Sequence, residues 1–264
     1  MKRRDFIINS GAASLGALAF PNIVLGHKFK TYKLALVGSG WWGMNILREA
    51  MSEGSVQVVA LCDPDSEMMQ QSATEVKKLS GNKVKQYTDY REMLAKEKPE
   101  IVIVATPDHW HALIGIAALQ AGAHVYLEKP IGHTIDEGKA LVAATKKYGR
   151  KVQVGLHRHI SPHNVSGIDF LRSGKVGKIG SVRAFVFYPH TGSDHTPVSP
   201  APDSLDWNMW CGPAPLRPYN KALHPKGFRN HLDFATGMIG DWGVHWFDQI
   251  LWWSEDKHPK NIYS

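Results

Sequence analysis

Short apolar runs alternate with helix-like stretches from residue 32 onward. Tyr32-Lys-Leu-Ala-Leu-Val37, Val56-Gln-Val-Val-Ala-Leu61, Ile101-Val-Ile-Val-Ala105, His124-Val-Tyr-Leu127 and Val152-Gln-Val154 read as strands. Ile101–Ala105 is apolar throughout, as a parallel strand buried on both faces requires. Between these runs, Met44–Met51, Ser66–Leu79, Tyr90–Glu97, Leu113–Ala121 and Ile135–Tyr148 read as helices, and Asn261-Ile-Tyr begins a further strand near the end. Strand–helix alternation implies an α/β fold with a doubly wound parallel sheet. Ligands of such sheets sit at the carboxyl ends of the strands, so the segments after Val37, Leu61, Ala105 and Leu127 should form one site.

The first of those strand ends reads Gly38-Ser-Gly40-Trp-Trp-Gly43. Between a strand and a helix this spacing has a mechanism. Gly38 permits a tight turn, Gly40 lets backbone approach a pyrophosphate, and Gly43 lets helix and strand pack closely. The helix N-terminus then offers free N–H groups to phosphate. Asp63 ends the second strand, 20 residues after Gly43. A carboxylate there accepts from adenosine ribose hydroxyls, or simply caps the turn before Pro64. It would repel a 2′-phosphate, and no Arg or Lys follows before Lys77, so NAD is favoured over NADP. Trp41 and Trp42 either flank the dinucleotide or cover the loop.

Composition refines this picture at the N-terminus. Residues 1–26 carry Lys2, Arg3 and Arg4 ahead of an apolar stretch, the pattern of a signal peptide. Arg3-Arg4 followed by Phe6 and Ile7 looks like a twin-arginine signal, which predicts a periplasmic or otherwise exported protein, cleaved after Ala17-Leu18-Ala19 or near Gly26. The stretch is too broken by polar residues, Gly and Pro to predict a stable membrane anchor. The formal charge of the whole chain is +7, and three cations and one acid leave with residues 1–26, giving +5. No clustered basic face argues for nucleic acid as a partner. Cys62 and Cys211 make no disulfide framework or zinc spacing. His109-Trp-His111 is an H-x-H that reads as part of a loop, without a visible third ligand, so no metal is predicted.

Two further strand ends are distinctive: Ala105-Thr-Pro-Asp-His-Trp-His-Ala112 and Glu128-Lys129-Pro130. With Gly38–Gly43 and Asp63 they resemble the Gfo/Idh/MocA oxidoreductases, named for glucose–fructose oxidoreductase and inositol dehydrogenase. The resemblance runs on through Gln153-Val-Gly155, Gly174–Gly180, Trp207–Pro215 and Asp233–Asp248. It implies a Rossmann domain over 31–155 and, over 156–264, a partial α/β substrate and oligomerisation domain holding an incomplete open sheet. It also implies hydride transfer between NAD(P) and a secondary alcohol of a sugar, sugar derivative or cyclitol. Thr106, Pro107, Asp108, His111, Glu128 and Lys129 are then expected along the cofactor. Exported members with twin-arginine signals fit the N-terminus.

The family's catalytic positions fall on Lys129, Asp241 and His245. Independent chemistry agrees with them. Oxidation of an alcohol needs a base for the hydroxyl proton, and histidine titrates in the right range. A lysine ammonium stabilises developing alkoxide charge. Residues i and i+4 share a helix face, so Asp241 and His245 can enter one pocket. On the substrate side, Arg158 matches the family's Gln-Arg-Arg segment, whereas His157 and His159 depart from it. Trp207 can stack on a sugar face or belong to the core. Arg229 and Asp233 bind hydroxyls or pair with each other. Members usually continue well beyond the position of Ser264, so the resemblance implies a C-terminally truncated chain with an incomplete sheet, and a homo-oligomer where that sheet is present. Two alternatives stay open: a redox-neutral NAD-dependent glycosidase or lyase of the same superfamily, and a non-catalytic nucleotide-binding fragment.

Overall fold

The fold is built on a sheet of six parallel strands in the order β3-β2-β1-β4-β5-β6. The computed structural model describes residues 30–186, 196–255 and 261. The expected signal segment over 1–26 and the strand expected at Ile262-Tyr263 lie outside the described residues. The strands are β1 (Tyr32–Val37), β2 (Val56–Cys62), β3 (Lys85–Tyr87), β4 (Ile101–Val104), β5 (His124–Leu127) and β6 (Val152–Val154). The helices between them are α1 (Trp41–Ser52), α2 (Ser66–Ser80), α3 (Tyr90–Glu97), α4 (Asp108–Gln120) and α5 (Ile135–Tyr148). The order reverses between β1 and β4, and a crevice opens at such a switch point.

Alternation along each strand explains the two-sided core. Leu34 and Leu36 of β1 face Met44, Leu47, Met69 and Val76, while Ala35 and Val37 face Val102, Val104, Ile114, Leu127 and Leu141. Both faces are therefore apolar, as the continuous runs of the central strands require. β3 is an addition to the expected set, because Lys-Gln-Tyr has no apolar run to announce it. It lies at the sheet edge, paired to β2 from Ala60↔Lys85 to Cys62↔Tyr87, where a polar, short strand is favoured.

Caps set the helix starts. Asp65 accepts from Glu67 N and Met68 N at the head of α2, and Thr134 with Glu137 forms a reciprocal capping box on α5. α1 and α4 begin instead at Gly40 and Pro107 with no side-chain cap. Both start earlier than the apolar pattern predicts. His109 and His111 consequently stand on the first turns of α4 rather than on a loop.

The rest of the described chain carries α6 (Pro162–Arg172), α7 (Trp207–Cys211) and α8 (Val244–Ser254) with turns between them. A third cluster of Leu205, Trp210, Tyr219, Leu223, Phe228 and Phe234 lies within this part. Its backbone joins the β2–α2 loop through an isolated bridge, Asp65↔Leu205, and the bonds Ser66 N→Ser204 O (2.8 Å) and Asp206 N→Pro64 O (2.9 Å). Among the described residues of 156–264, no further sheet is formed. No helix among the described residues is long and apolar enough to cross a membrane.

Candidate active site

A cleft of about 1540 Å³ opens at the carboxyl ends of the strands. Gly38, Gly40, Gly43, Asp63, Thr106, Pro107, Asp108, Glu128 and Lys129 line it from the sheet side, and Arg229, Asp241, Trp242, His245 and Trp246 line it from the second half. The glycines are there for want of space. A Cβ at Gly43 would lie 2.0 Å from the Gly38 carbonyl oxygen, and one at Gly38, where φ is +89°, would lie 2.6 Å from the Ala105 backbone. At the far side, a Cβ on Gly155 would meet the Glu128 carboxylate at 2.3 Å. α1 thus starts close against the β1 turn with no side-chain cap, leaving its first N–H groups for an anion.

Asp63 is buried beside that turn. Its Oδ2 accepts from Ser39 N (2.7 Å) and Ser39 Oγ (3.2 Å), and its Oδ1 accepts from Asp65 N (2.9 Å). Burial pushes its carboxyl upward, and these bonds oppose the shift. A carboxylate has about four acceptor positions, so Asp63 retains capacity for a further donor. Trp41 and Trp42 stand at the cleft with ring centroids 5.3 Å apart, Trp41 being 66% exposed, and the Lys226 ammonium lies 5.7 Å from the Trp41 ring.

The opposite end holds the charged chemistry. Lys129 follows β5 before a cis Lys129–Pro130 bond. Its Nζ donates to Asp241 Oδ1 (2.7 Å) and to the Asp241 carbonyl (2.6 Å). An ammonium has three donors, so one remains for a ligand oxygen. Arg229 Nε reaches the same Asp241 oxygen at 3.2 Å. His245 is 5% exposed and its Nδ1 lacks a hydrogen-bond partner. Burial, and then the charges of Lys129, His157 and Arg158, push this imidazole down to about 4 against the pull of Asp241. It is therefore neutral at ordinary pH and able to accept a proton.

Thr106 Oγ1, His224 Nδ1 and Trp246 Nε1, all at the cleft, are likewise buried without partners. Buried polar atoms normally find partners, so orphaned ones around one cleft point to a polar ligand.

Comparison with known proteins agrees. Residues 32–156 match the model of an oxidoreductase family's NAD-binding Rossmann fold, and residues 176–262 match the model of its C-terminal α/β domain. The chain belongs to the Gfo/Idh/MocA oxidoreductase family. It is 34% identical over 143 residues to a glycosyl hydrolase family 109 protein of Stenotrophomonas maltophilia, covering 52% of this chain and 31% of that protein. It is 30% identical over 150 residues to an inositol 2-dehydrogenase of Salmonella typhimurium, covering 56% of this chain and 44% of that one. The crystal structure of myo-inositol 2-dehydrogenase from Lactobacillus plantarum superimposes with a TM-score of 0.52 at 25% identity, over 57% of this chain and 43% of that one. This family member thus spans less than half the length of those relatives.

Every residue expected along the cofactor lines the cleft, as do Lys129, Asp241 and His245. Several details differ from expectation. Asp241 and His245 do not share one α-helical face: Ile239–Gly243 is a π-helical turn, and His245 lies in the first turn of α8. The Asp241 carboxylate holds Lys129 and Arg229 rather than orienting His245. Arg229 and Asp233 do not pair, because Asp233 binds Arg217 (3.0 Å) and faces away from the cleft. Trp207 stacks on Trp210 (4.6 Å) in the third cluster. Arg158 lies over Trp246 (3.9 Å) and donates to Gln249 (2.9 Å). Of the four residues expected to bind substrate, Arg229 alone reaches the cleft wall. His111 is at the wall, but its ring nitrogens meet the carbonyls of Pro130 (2.5 Å) and Thr106 (2.8 Å). Sequence reasoning singles out neither His224 nor Trp246, and it does not place His157 in the cleft. His224 joins the β2–α2 loop through Asp65 Oδ2 (3.0 Å), a contact across 159 positions that no local pattern announces.

His109 gives a stability prediction. It is 2% exposed, its Nε2 and Nδ1 lie near the carbonyls of Trp210 (3.0 Å) and Phe234 (3.3 Å), and burial pushes it down to about 4. The unfolded chain protonates this ring from about pH 6.5 downward, whereas the folded chain resists until about pH 4. Stability from this group is therefore complete above pH 6.5 and lost progressively as the pH falls toward 4, by about 3 kcal/mol. Urea unfolding at pH 7 and pH 4.5 should show this loss on top of a similar one from His245, which is also pushed down to about 4, so His109→Gln should remove about half of the difference whatever it does to absolute stability. An unchanged pH slope in the variant would show that other groups cause it.

Proposed function

We propose that this protein is an NAD-dependent oxidoreductase acting on a secondary alcohol of a sugar, sugar derivative or cyclitol. The observation that carries the reading is the pairing of a clamped lysine and a neutral buried histidine in the cleft that the glycine turn and Asp63 also line. The residues suit NAD: the tight glycine turn and uncapped α1 suit its pyrophosphate, the remaining acceptor position of Asp63 suits a ribose without 2′-phosphate, and the orphaned Thr106 Oγ1 and Trp246 Nε1 await polar partners. When bound, the nicotinamide supplies a hydride acceptor.

The protein's own residues supply the rest. The free N–H of Lys129 binds the substrate oxygen and stabilises charge developing on it. Asp241 fixes that ammonium through two bonds, with Arg229 holding the carboxylate from the other side. His245 takes the hydroxyl proton. The trio is preorganised, because none of these contacts has to form at the moment of reaction.

The relative named as a glycosyl hydrolase supports a second reading, a redox-neutral reaction in which the cofactor is reduced and reoxidised within one turnover. One assay separates the two. The full chain is incubated with NAD and a panel of myo-inositol, scyllo-inositol, aldohexoses and aryl glycosides. Accumulating NADH absorbance supports the dehydrogenase. Release of the aryl group without NADH supports the second reading. Neither signal, with NAD bound, would overturn both.

A further inference from the structure

His157 lines the same cleft and has no part in the chemistry above. It stands on a 3-10 turn, His157–His159, directly after β6, in an exposed position. Its ring centroid lies 4.8 Å from that of His245, with the planes inclined at 59°. His245 is buried, and a buried base that has taken a proton must pass it on before it can act again. Four titratable or charged groups face it: Lys129, His157, Arg158 and Asp241. Lys129 and Asp241 are bound to each other, and Asp241 is also held by Arg229. Arg158 is engaged with Gln249 and Trp246, and a guanidinium accepts no proton. Of the four, His157 combines an acceptor nitrogen with access to water.

We propose that His157 and His245 form one proton-holding pair, in which His245 takes the proton inside the cleft and His157 passes it to solvent. The source of the proton, a substrate hydroxyl, rests on the dehydrogenase reading. Only a proton moves in this relay: the O–H bond breaks as an N–H forms on His245, which becomes imidazolium; that ring gives its proton through water to neutral His157, and His157 gives a proton to solvent, leaving both rings neutral. His157 is thus a positioning residue acting through His245. Besides His245, the groups facing His157 are Arg158, Glu128 and Lys129, and partial burial with the two cations pushes its ring downward against the pull of Glu128. Glu128 is no competing route to solvent, since it is 4% exposed and is not among the groups that face His245.

The first test needs no substrate. Histidine ring resonances of the full chain are followed by NMR against pH in wild type, His157→Gln and His245→Gln. Removing one ring removes a like-charged neighbour, so the midpoint of the other should rise. Midpoints that stay where they were overturn the pair. The second test uses myo-inositol, or the panel member that yields NADH. His157→Gln should lower kcat about tenfold, less than the 10²–10⁴-fold of a primary base, with KM and NAD affinity unchanged and with partial rescue by added imidazole. A kcat equal to wild type at every pH overturns the relay. Coupled midpoints in a protein that makes no NADH uphold the pair and count against the dehydrogenase reading alone.

Discussion

His245→Gln lowers kcat by about 10²–10⁴-fold while the NAD dissociation constant stays within about twofold of wild type. The expectation follows from where the ring sits. His245 lines the cleft beside the Lys129–Asp241 clamp, and its Nδ1 makes no bond that holds the fold. Glutamine keeps a polar, similarly sized side chain but cannot take a proton. Binding measured calorimetrically and turnover measured by NADH absorbance should therefore separate. The pH profile carries a second expectation. Because the ring is pushed down to about 4, the acid limb of kcat/KM should lie well below the 6.5 of a free imidazole. Equal losses of NAD affinity and turnover would show that His245 shapes the site rather than acting as its base. An acid limb near 6.5 would show that the ring titrates as an ordinary imidazole in the free protein.

Much of this site is legible in the sequence alone, for a physical reason. The cleft's sheet side is made of strand ends, and in a parallel sheet every strand end falls on one edge. Locating Val37, Leu61, Ala105 and Leu127 in the sequence therefore brings Gly38, Asp63, Thr106 and Lys129 together. The second half follows no such rule. Whether Asp233 meets Arg229 or Arg217 depends on how the chain from 213 to 241 folds back, and both pairings are equally good charge chemistry. Trp207 enters the third cluster because Trp210, Tyr219 and Phe234 surround that point, which only tertiary packing decides. The H-x-H reads as a loop because Pro107 and the polar residues after it have the composition of a turn. Pro107 stands instead at the N-cap of α4, a start for which proline's lack of an N–H is no handicap. His157 stands out in the sequence only as a departure from the family pattern. Its meaning becomes visible when the π-helical turn ahead of α8 brings His245 to it.

Gly43→Ala abolishes measurable NAD binding and destabilises the fold by about 3 kcal/mol, the upper end for an added methyl group in a packed site. The new Cβ would stand 2.0 Å from the Gly38 oxygen and 3.3 Å from the Ala105 Cβ. Neither neighbour is a flexible side-chain end, so the start of α1 must move away from the β1 turn. That movement carries the uncapped N–H groups of α1 away from their place beside Gly38. Gly38→Ala should do the same for two reasons, a left-handed φ of +89° and a backbone contact at 2.6 Å. Gly54→Ala separates these causes. Gly54 also has a left-handed φ, +69°, but nothing lies within 4 Å of its added Cβ. It should cost only about 1 kcal/mol and leave NAD affinity unchanged. Urea unfolding with calorimetric NAD titration on the three variants gives the ordering. If Gly54→Ala proved as harmful as Gly38→Ala, backbone conformation alone would account for the loss. If Gly43→Ala still bound NAD with wild-type affinity, the pyrophosphate would have to lie somewhere other than the head of α1.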